Sequence, residues 1–208
     1  MQLEALILDY GNVLSHSQRE DRLEAMAAQV RAPLDAFRDA YWQHRQPYDA
    51  GLPAAEYWRR VLETLGQSSG ASEHSPAIDQ LIEVDVASWT EYREEMWGLA
   101  RSFRVSGGRT AFLSNGVPEA MARIRAERAL ERWFDVVVVS CEVGVAKPDP
   151  AIYKMCLSRL CVEANHALFV DDRLENIDAA ARFGIKTFHF AGNDLMRRLV
   201  ETVHSLSR

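Results

Sequence analysis

The chain is short of three things, and each shortage narrows what the protein can be. Only three of its 208 residues are cysteine, namely Cys141, Cys156 and Cys161. They form no CxxC pair and are odd in number, which argues against a disulfide framework or a zinc site and leaves them as reduced, packed thiols. Positive charge is also scarce, with 24 Lys and Arg against 30 Asp and Glu, a net charge of −6 and a pI near 5.5. Nucleic-acid backbones are bound by clustered Lys and Arg. Here the one basic cluster, Arg123, Arg125 and Arg128, is interspersed with Glu119, Glu127 and Glu131, the pattern of a solvated helix face. No nucleic-acid partner is expected. Finally, no apolar run approaches the roughly 18 residues of a membrane span, and the N-terminus enters a strand at Leu3 without a signal-peptide pattern. These absences lead us to expect a cytoplasmic chain without a membrane partner.

What is present is ordinary globular material, 48% hydrophobic and 26% charged, enough for one core with a smaller lobe. Four stretches stand out in fixed order: LILDYGN (Leu6 to Asn12), TAFLSNG (Thr110 to Gly116), VGVAKPDP (Val143 to Pro150) and ALFVDDRLEN (Ala167 to Asn176). In the first, second and fourth, an apolar run without alternation ends on polar residues: Asp9, Ser114, and Asp171 with Asp172. Such runs read as buried parallel strands. Strand-like segments recur at Leu3 to Asp9, Arg109 to Ser114, Val136 to Ser140, Ala167 to Asp171 and Ile185 to Phe190, and helical patterns separate the later four, so a parallel sheet with crossover helices is expected. Pro118 before Glu119 marks one helix start, and Pro148 with Pro150 marks another. In an open α/β sheet, ligands bind at the carboxyl ends of the strands. Carboxylates from two strands, a hydroxyl from a third and Lys147 therefore converge on one crevice, a set that suits a divalent cation and a phosphate.

About 95 residues separate the first two strands, far more than one crossover helix needs. Apolar residues in that interval fall at helical spacing: Leu23, Met26, Ala27 and Val30; Leu34, Phe37 and Tyr41; Trp58, Val61, Leu62 and Leu65; Ile78, Leu81 and Ile82. The interval reads as an all-helical insert, with the polar stretch Gln67 to Ser75 as an exposed loop. Its aromatics, Trp42, Trp58, Trp89 and Trp97 among them, read chiefly as packing. Tyr48-Asp49-Ala50-Gly51 reads as a turn between helices that projects side chains over the crevice.

The ordered stretches with a helical insert after the first resemble the haloacid dehalogenase superfamily, over a span from Leu3 to about Phe190. The phrases SCEVGVAKPDPAIY and FVDDRLENIDAA look most like its small-capped phosphatase-type branch. The resemblance implies a Rossmann-like α/β core with helices on both faces of a parallel sheet, residues 1–15 and 96–208, and an inserted all-helical cap, residues 16–95. It further implies Asp9 as nucleophile, Ser114 and Asn115 as phosphate-binding residues, and Lys147 as both catalytic and substrate-binding. Mg²⁺ is the implied cofactor, held by Asp9, the Gly11 carbonyl, Asp171 and Asp172. The implied substrate is a small phosphorylated metabolite, such as a sugar phosphate, hydrolysed through an aspartyl-phosphate.

One position departs from the family pattern. Most phosphatases of this family carry a second aspartate two residues after the nucleophile as acid and base, and this chain has Gly11. A missing acid/base group costs about 10²- to 10⁴-fold in rate, although some branches have an Asp-x-Gly-Asn first motif. His16 is a candidate substitute, but an exposed loop histidine is the favoured reading. Asn176 reads as a brace for the fourth stretch, and Asp149 as turn chemistry between two prolines. Two other readings stay open: a catalytically weak protein that binds a phosphorylated ligand or partner, and a metal-independent 2-haloacid dehalogenase.

Overall fold

A computed structural model describes residues 2–67 and 76–207. Its sheet has five parallel strands, β1 (Ala5–Leu8), β2 (Arg109–Ser114), β3 (Val136–Val139), β4 (Ala167–Asp171) and β5 (Lys186–His189), in the order β3-β2-β1-β4-β5. Eleven helices are present among the described residues. Six lie between β1 and β2: α1 (Glu20–Gln29), α2 (Leu34–Gln43), α3 (Arg45–Asp49), α4 (Ala54–Thr64), α5 (Pro76–Ser88) and α6 (Glu94–Val105). The others are α7 (Pro118–Arg128), α8 (Ser140–Val143), α9 (Pro150–Leu160), α10 (Leu174–Arg182) and α11 (Leu195–Leu206). None is long and apolar enough to cross a membrane.

The unalternating strands are explained by burial on both faces. Successive side chains of a strand point to opposite sides. On one side of the sheet, Leu6 and Leu8 of β1 join Phe112, Leu168 and Val170 against α6, α7 and α11. On the other, Ala5 and Ile7 join Ala111, Leu113 and Phe169 against α9 and α10. Leu3 and Glu4, expected in the first strand, precede it, because their amides bond to the carbonyls of Leu206 and His166, both at 2.8 Å, rather than to the ladder. Helix starts follow the prolines. Pro118 and Pro150 each open a helix, and Asp149 caps α9 by accepting the Ala151 amide at 2.8 Å.

The insert is built as its spacing predicts. Leu23, Met26, Phe37, Tyr41, Trp58, Val61, Ile78 and Leu81 are all buried and continuous with the core on the α6 side. The Phe37 and Trp58 rings stack at 6.4 Å, and Tyr48 stacks on Tyr57 at 4.3 Å. Residues 68–75, which include nearly all of the expected exposed loop, lie outside the described residues. The chain leaves and re-enters the core side by side. Ser15 bridges Tyr92, the His16 amide donates to Glu91 O at 2.7 Å, and the Arg93 amide donates to Leu14 O at 2.9 Å.

Register decides what meets at the sheet's carboxyl edge. Leu8 pairs with both Phe112 and Val170, so one residue further on Asp9 stands beside Leu113 and Asp171. The chain steps outward from β1 to β3 and then returns to the far side of β1 as β4, so the reversal in strand order opens its crevice beside Asp9.

Phe112, fully buried between Tyr10 and Phe134, each 5.7 Å away between ring centroids, supports this arrangement from below. Phe112→Ala should lower stability by about 3–5 kcal/mol in urea unfolding.

Candidate active site

Asp9 lies one residue beyond β1, at the start of a wide turn, Tyr10–Leu14, in which Asn12 takes a left-handed conformation with φ 59°. That conformation directs the Asn12 amide to Asp172, with Nδ2 donating to Oδ2 at 2.6 Å. Lys147, on the loop before α9, sends its ammonium under the sheet edge. Nζ lies 2.7 Å from Asp9 Oδ1 and 2.7 Å from Asp171 Oδ2, and it donates to the Leu113 carbonyl at 3.1 Å. The lysine backbone is held as firmly. Its amide donates to Asn115 Oδ1 and its carbonyl accepts from Asn115 Nδ2, both at 2.8 Å. Asp171 is saturated from behind by Asn176 Nδ2, at 3.0 and 3.1 Å, and by the Arg173 amide at 2.8 Å.

Charge in this cluster does not balance. Asp9, Asp171 and Asp172 have carboxylate oxygens within 4.8 Å of one another, and one ammonium sits among them. Burial, followed by repulsion from Asp171 and Asp172, pushes the Asp9 carboxyl up to about 7, although Lys147 works against it. Burial also raises Asp172, opposed by its Asn12 hydrogen bond. For Lys147 burial acts to lower the ammonium, but Asp171 and Asp9 outweigh it and hold the group above its ordinary value. Two buried side-chain oxygens beside the cluster, Asn12 Oδ1 and Asn176 Oδ1, have no hydrogen-bond partner among the described residues. An all-oxygen donor set with excess negative charge and spare carbonyl acceptors fits a hard divalent cation.

These groups face a cavity of about 110 Å³ whose floor includes Asp9, Ser114, Asn115, Gly116, Lys147 and Asp172. Its far wall comes from the insert: Trp42, Arg45, Asp49 and Trp89. Trp58 and Trp97 are fully buried, as packing aromatics should be, whereas Trp42 is 46% exposed at the cavity rim.

The sequence reading placed Asp9, Gly11, Ser114, Asn115, Lys147, Asp171 and Asp172 at one site. All except the fully buried Asp171 line this cavity, and Asp171 lies directly behind it. Asn176 is a brace, as its position suggested, and it also lines the cavity. His16 is exposed and does not line the cavity. Gly11 has ordinary backbone angles, φ −59° and ψ 131°, so no turn geometry requires glycine there. Among the described residues, a Cβ at that position would meet only Trp89 Cζ3, at an ordinary contact distance of 3.7 Å. Sequence reasoning missed Arg45, because α3 has Pro47 inside it and is too short to show a periodicity. The sole hint was its nearness to the Tyr48–Gly51 turn, which forms the end of α3 and closes on Gly51 at φ 103°.

A sequence model described as haloacid dehalogenase-like hydrolase matches residues 3–184. The chain belongs to that hydrolase family. It is 28% identical to a phosphoserine phosphatase of Thermus thermophilus over 191 residues, covering 82% of this chain and 76% of that protein. It is 32% identical to (S)-2-haloacid dehalogenase 4A of Burkholderia cepacia over 192 residues, covering 89% and 81% respectively. A 40% identical match to mouse acyl-CoA dehydrogenase family member 10 spans 86 residues, 40% of this chain and only 8% of that one. Among solved structures, a HAD family enzyme of Bacteroides thetaiotaomicron, a variant in complex with magnesium and inorganic phosphate, superposes with a TM-score of 0.74 at 18% identity. The match covers 95% of this chain and 98% of that one.

The raised Asp9 carboxyl makes the cation-free protein sensitive to pH. The folded state holds this proton from the unfolded value of 3.8 up to about 7, so across that window the native protein binds more protons and its stability falls as pH rises. Without added metal, Asp9→Asn should therefore melt higher than wild type at about pH 8 and lose that part of the decline between about pH 4 and 7 in thermal melts.

Proposed function

We propose that this hydrolase is a Mg²⁺-dependent phosphomonoesterase acting on a small phosphorylated metabolite. The observation that carries the reading is the convergence of Asp9, Asp171 and Asp172 around a single buried ammonium at the carboxyl edge of the sheet. Asp9, Asp172 and the Gly11 carbonyl would hold the ion, with Asp171 supporting from behind through Lys147. A bound Mg²⁺ supplies charge neutralisation and orientation between a carboxylate and an incoming phosphoryl group, which otherwise repel.

In this reading Asp9 Oδ attacks phosphorus, so a carboxylate O–P bond forms as the ester P–O bond breaks. The leaving oxygen takes up a proton and departs as an alcohol. Water then adds to phosphorus, breaking the Asp9–phosphorus bond and returning the carboxylate and inorganic phosphate. Lys147 favours the ionised form of Asp9 against burial and holds it aimed. Ser114 Oγ, the Asn115 amide and the following start of α7 receive phosphate oxygens. The Asn115 side chain is committed to Lys147 and so locks the phosphate loop to the lysine loop. Residues 16–95 serve as a cap that closes the site and supplies contacts to the organic part of the substrate. Position 11 offers no acid, so the leaving oxygen is protonated from cavity water.

Two features support phosphate over halide as the leaving chemistry: the surplus of carboxylates and the unpartnered Asn12 and Asn176 oxygens. Without a bound cation a 2-haloacid, itself an anion, would meet that negative charge uncompensated, whereas a phosphate ester, also an anion, would enter with the Mg²⁺ that offsets it. The resemblance to a haloacid dehalogenase keeps that activity as the second reading.

Hydrolysis of an aryl phosphate should require Mg²⁺ and vanish in Asp9→Asn. Gly11→Asp, which restores an acid at this position, should raise kcat by up to about 10²-fold, the lower end of what acid/base catalysis contributes. Metal-independent halide release from 2-chloropropionate, with no phosphate release from any ester, would overturn the phosphatase reading.

A further inference from the structure

The insert wall of the cavity contains a buried guanidinium that the phosphoryl chemistry does not use. Arg45 is 9% exposed and lines the cavity. Nε donates to Asp49 Oδ1 at 2.9 Å, and Nη1 donates to Tyr41 Oη at 2.5 Å and lies 3.4 Å from Asp85 Oδ2. Its plane is packed among the Tyr41, Tyr48 and Trp89 rings, 5.4, 5.4 and 5.8 Å from its carbon. Among the described residues Nη2 has no hydrogen-bond partner, and neither has the second carboxylate oxygen of Asp49. An unused donor therefore stands next to an unused acceptor on one wall of the cavity, held by three rings and a fully buried Asp85.

The position of this pair relative to the phosphate loop is set by two hydroxyls. Ser140 Oγ accepts the Gly116 amide at 3.0 Å and donates to the Asp49 carbonyl. Tyr48 Oη adds a second tie, donating to Glu119 Oε2 on α7 at 3.0 Å. The wall is thus registered against the place where the phosphate would lie.

We infer that Arg45 and Asp49 recognise the leaving group, and that they select phosphate esters of neutral polyols over esters carrying a second anion. The inference rests on the phosphatase reading. The first argument is charge: Arg45 already faces two carboxylates, Asp49 and Asp85, so the wall has no net positive charge to offer a substrate carboxylate, and the catalytic cluster opposite is itself negative. The second is hydrogen-bond complementarity. A hydroxyl both donates and accepts, so neighbouring hydroxyls satisfy Nη2 and the Asp49 oxygen together without burying a new charge. The third is shape, because Trp42 and Trp89 give the same cavity flat apolar faces for the carbon backbone of a polyol.

The test compares kcat/KM for glycerol phosphate, erythritol phosphate and a hexose phosphate with that for phosphoglycerate, phosphoserine and acetyl phosphate, all with Mg²⁺. Wild type should favour the best polyol ester over both carboxylate-bearing esters by at least about tenfold, the worth of one unmatched polar contact. In Asp49→Ala, the ratio of that polyol ester to acetyl phosphate, which has no hydroxyls to read, should fall by a similar factor, chiefly through KM. Arg45→Lys, which keeps the charge but loses the fork, should lower the same ratio. Circular dichroism and melting would establish that both variants fold. A preference for phosphoglycerate or phosphoserine, or an unchanged ratio in folded Asp49→Ala, would overturn the inference while leaving the phosphatase reading intact. Absence of Mg²⁺- and Asp9-dependent turnover of all of these phosphates would overturn both.

Discussion

The Lys147 ammonium, enclosed between Asp9 and Asp171, is the interaction on which the site depends. Its side chain is 1% exposed, and its three contacts join three separate segments: the end of β1, the end of β4 and the Leu113 carbonyl of β2. A charge so enclosed is costly unless fully paired. The neighbouring geometry can be understood as the means of pairing it. Asn176 and the Arg173 amide occupy the remaining valences of Asp171, and Asn115 fixes the lysine backbone. The sheet supplies the register, and the lysine converts that register into a fixed constellation of carboxylates.

Most of this was legible in sequence because the core speaks in long apolar runs. Val136 to Val139 and Leu168 to Val170 can hardly be anything but strands buried on both faces, and their polar termini mark the edge at once. The first strand proved shorter, because Leu3 and Glu4 spend their amides on neighbouring loops, a tertiary choice that no local pattern announces. The acidic pair looked equivalent in sequence, yet Asp171 is consumed by the lysine and its braces while Asp172 faces the cavity with Asn12. That division of labour depends on one residue's difference in position along the end of β4.

The insert was legible as helices and illegible as a surface. Its spacing gave α1, α2, α4 and α5, since each shows an apolar stripe at helical period. Arg45, Asp85 and Trp89 belong to no stripe. They meet only once α3 comes against the end of α5, and a buried arginine in sequence resembles any exposed one. Gly11 was read as a missing acid, and the structure adds its neighbour, because the Trp89 ring lies within ordinary contact distance of a Cβ there.

Ser140 also bears on how freely the two parts of this architecture can be recombined. One hydroxyl spans the loop after β2 and the insert, accepting from Gly116 and donating to Asp49. A chimera that grafts a foreign insert onto this core would keep the serine and lose its correct acceptor, while the reverse graft would present the Asp49 carbonyl to whatever residue the new host has there. The exchangeable module is therefore larger than the helical segment itself, and it carries a fragment of the opposite loop, eighty residues or more away in sequence, as part of its joint.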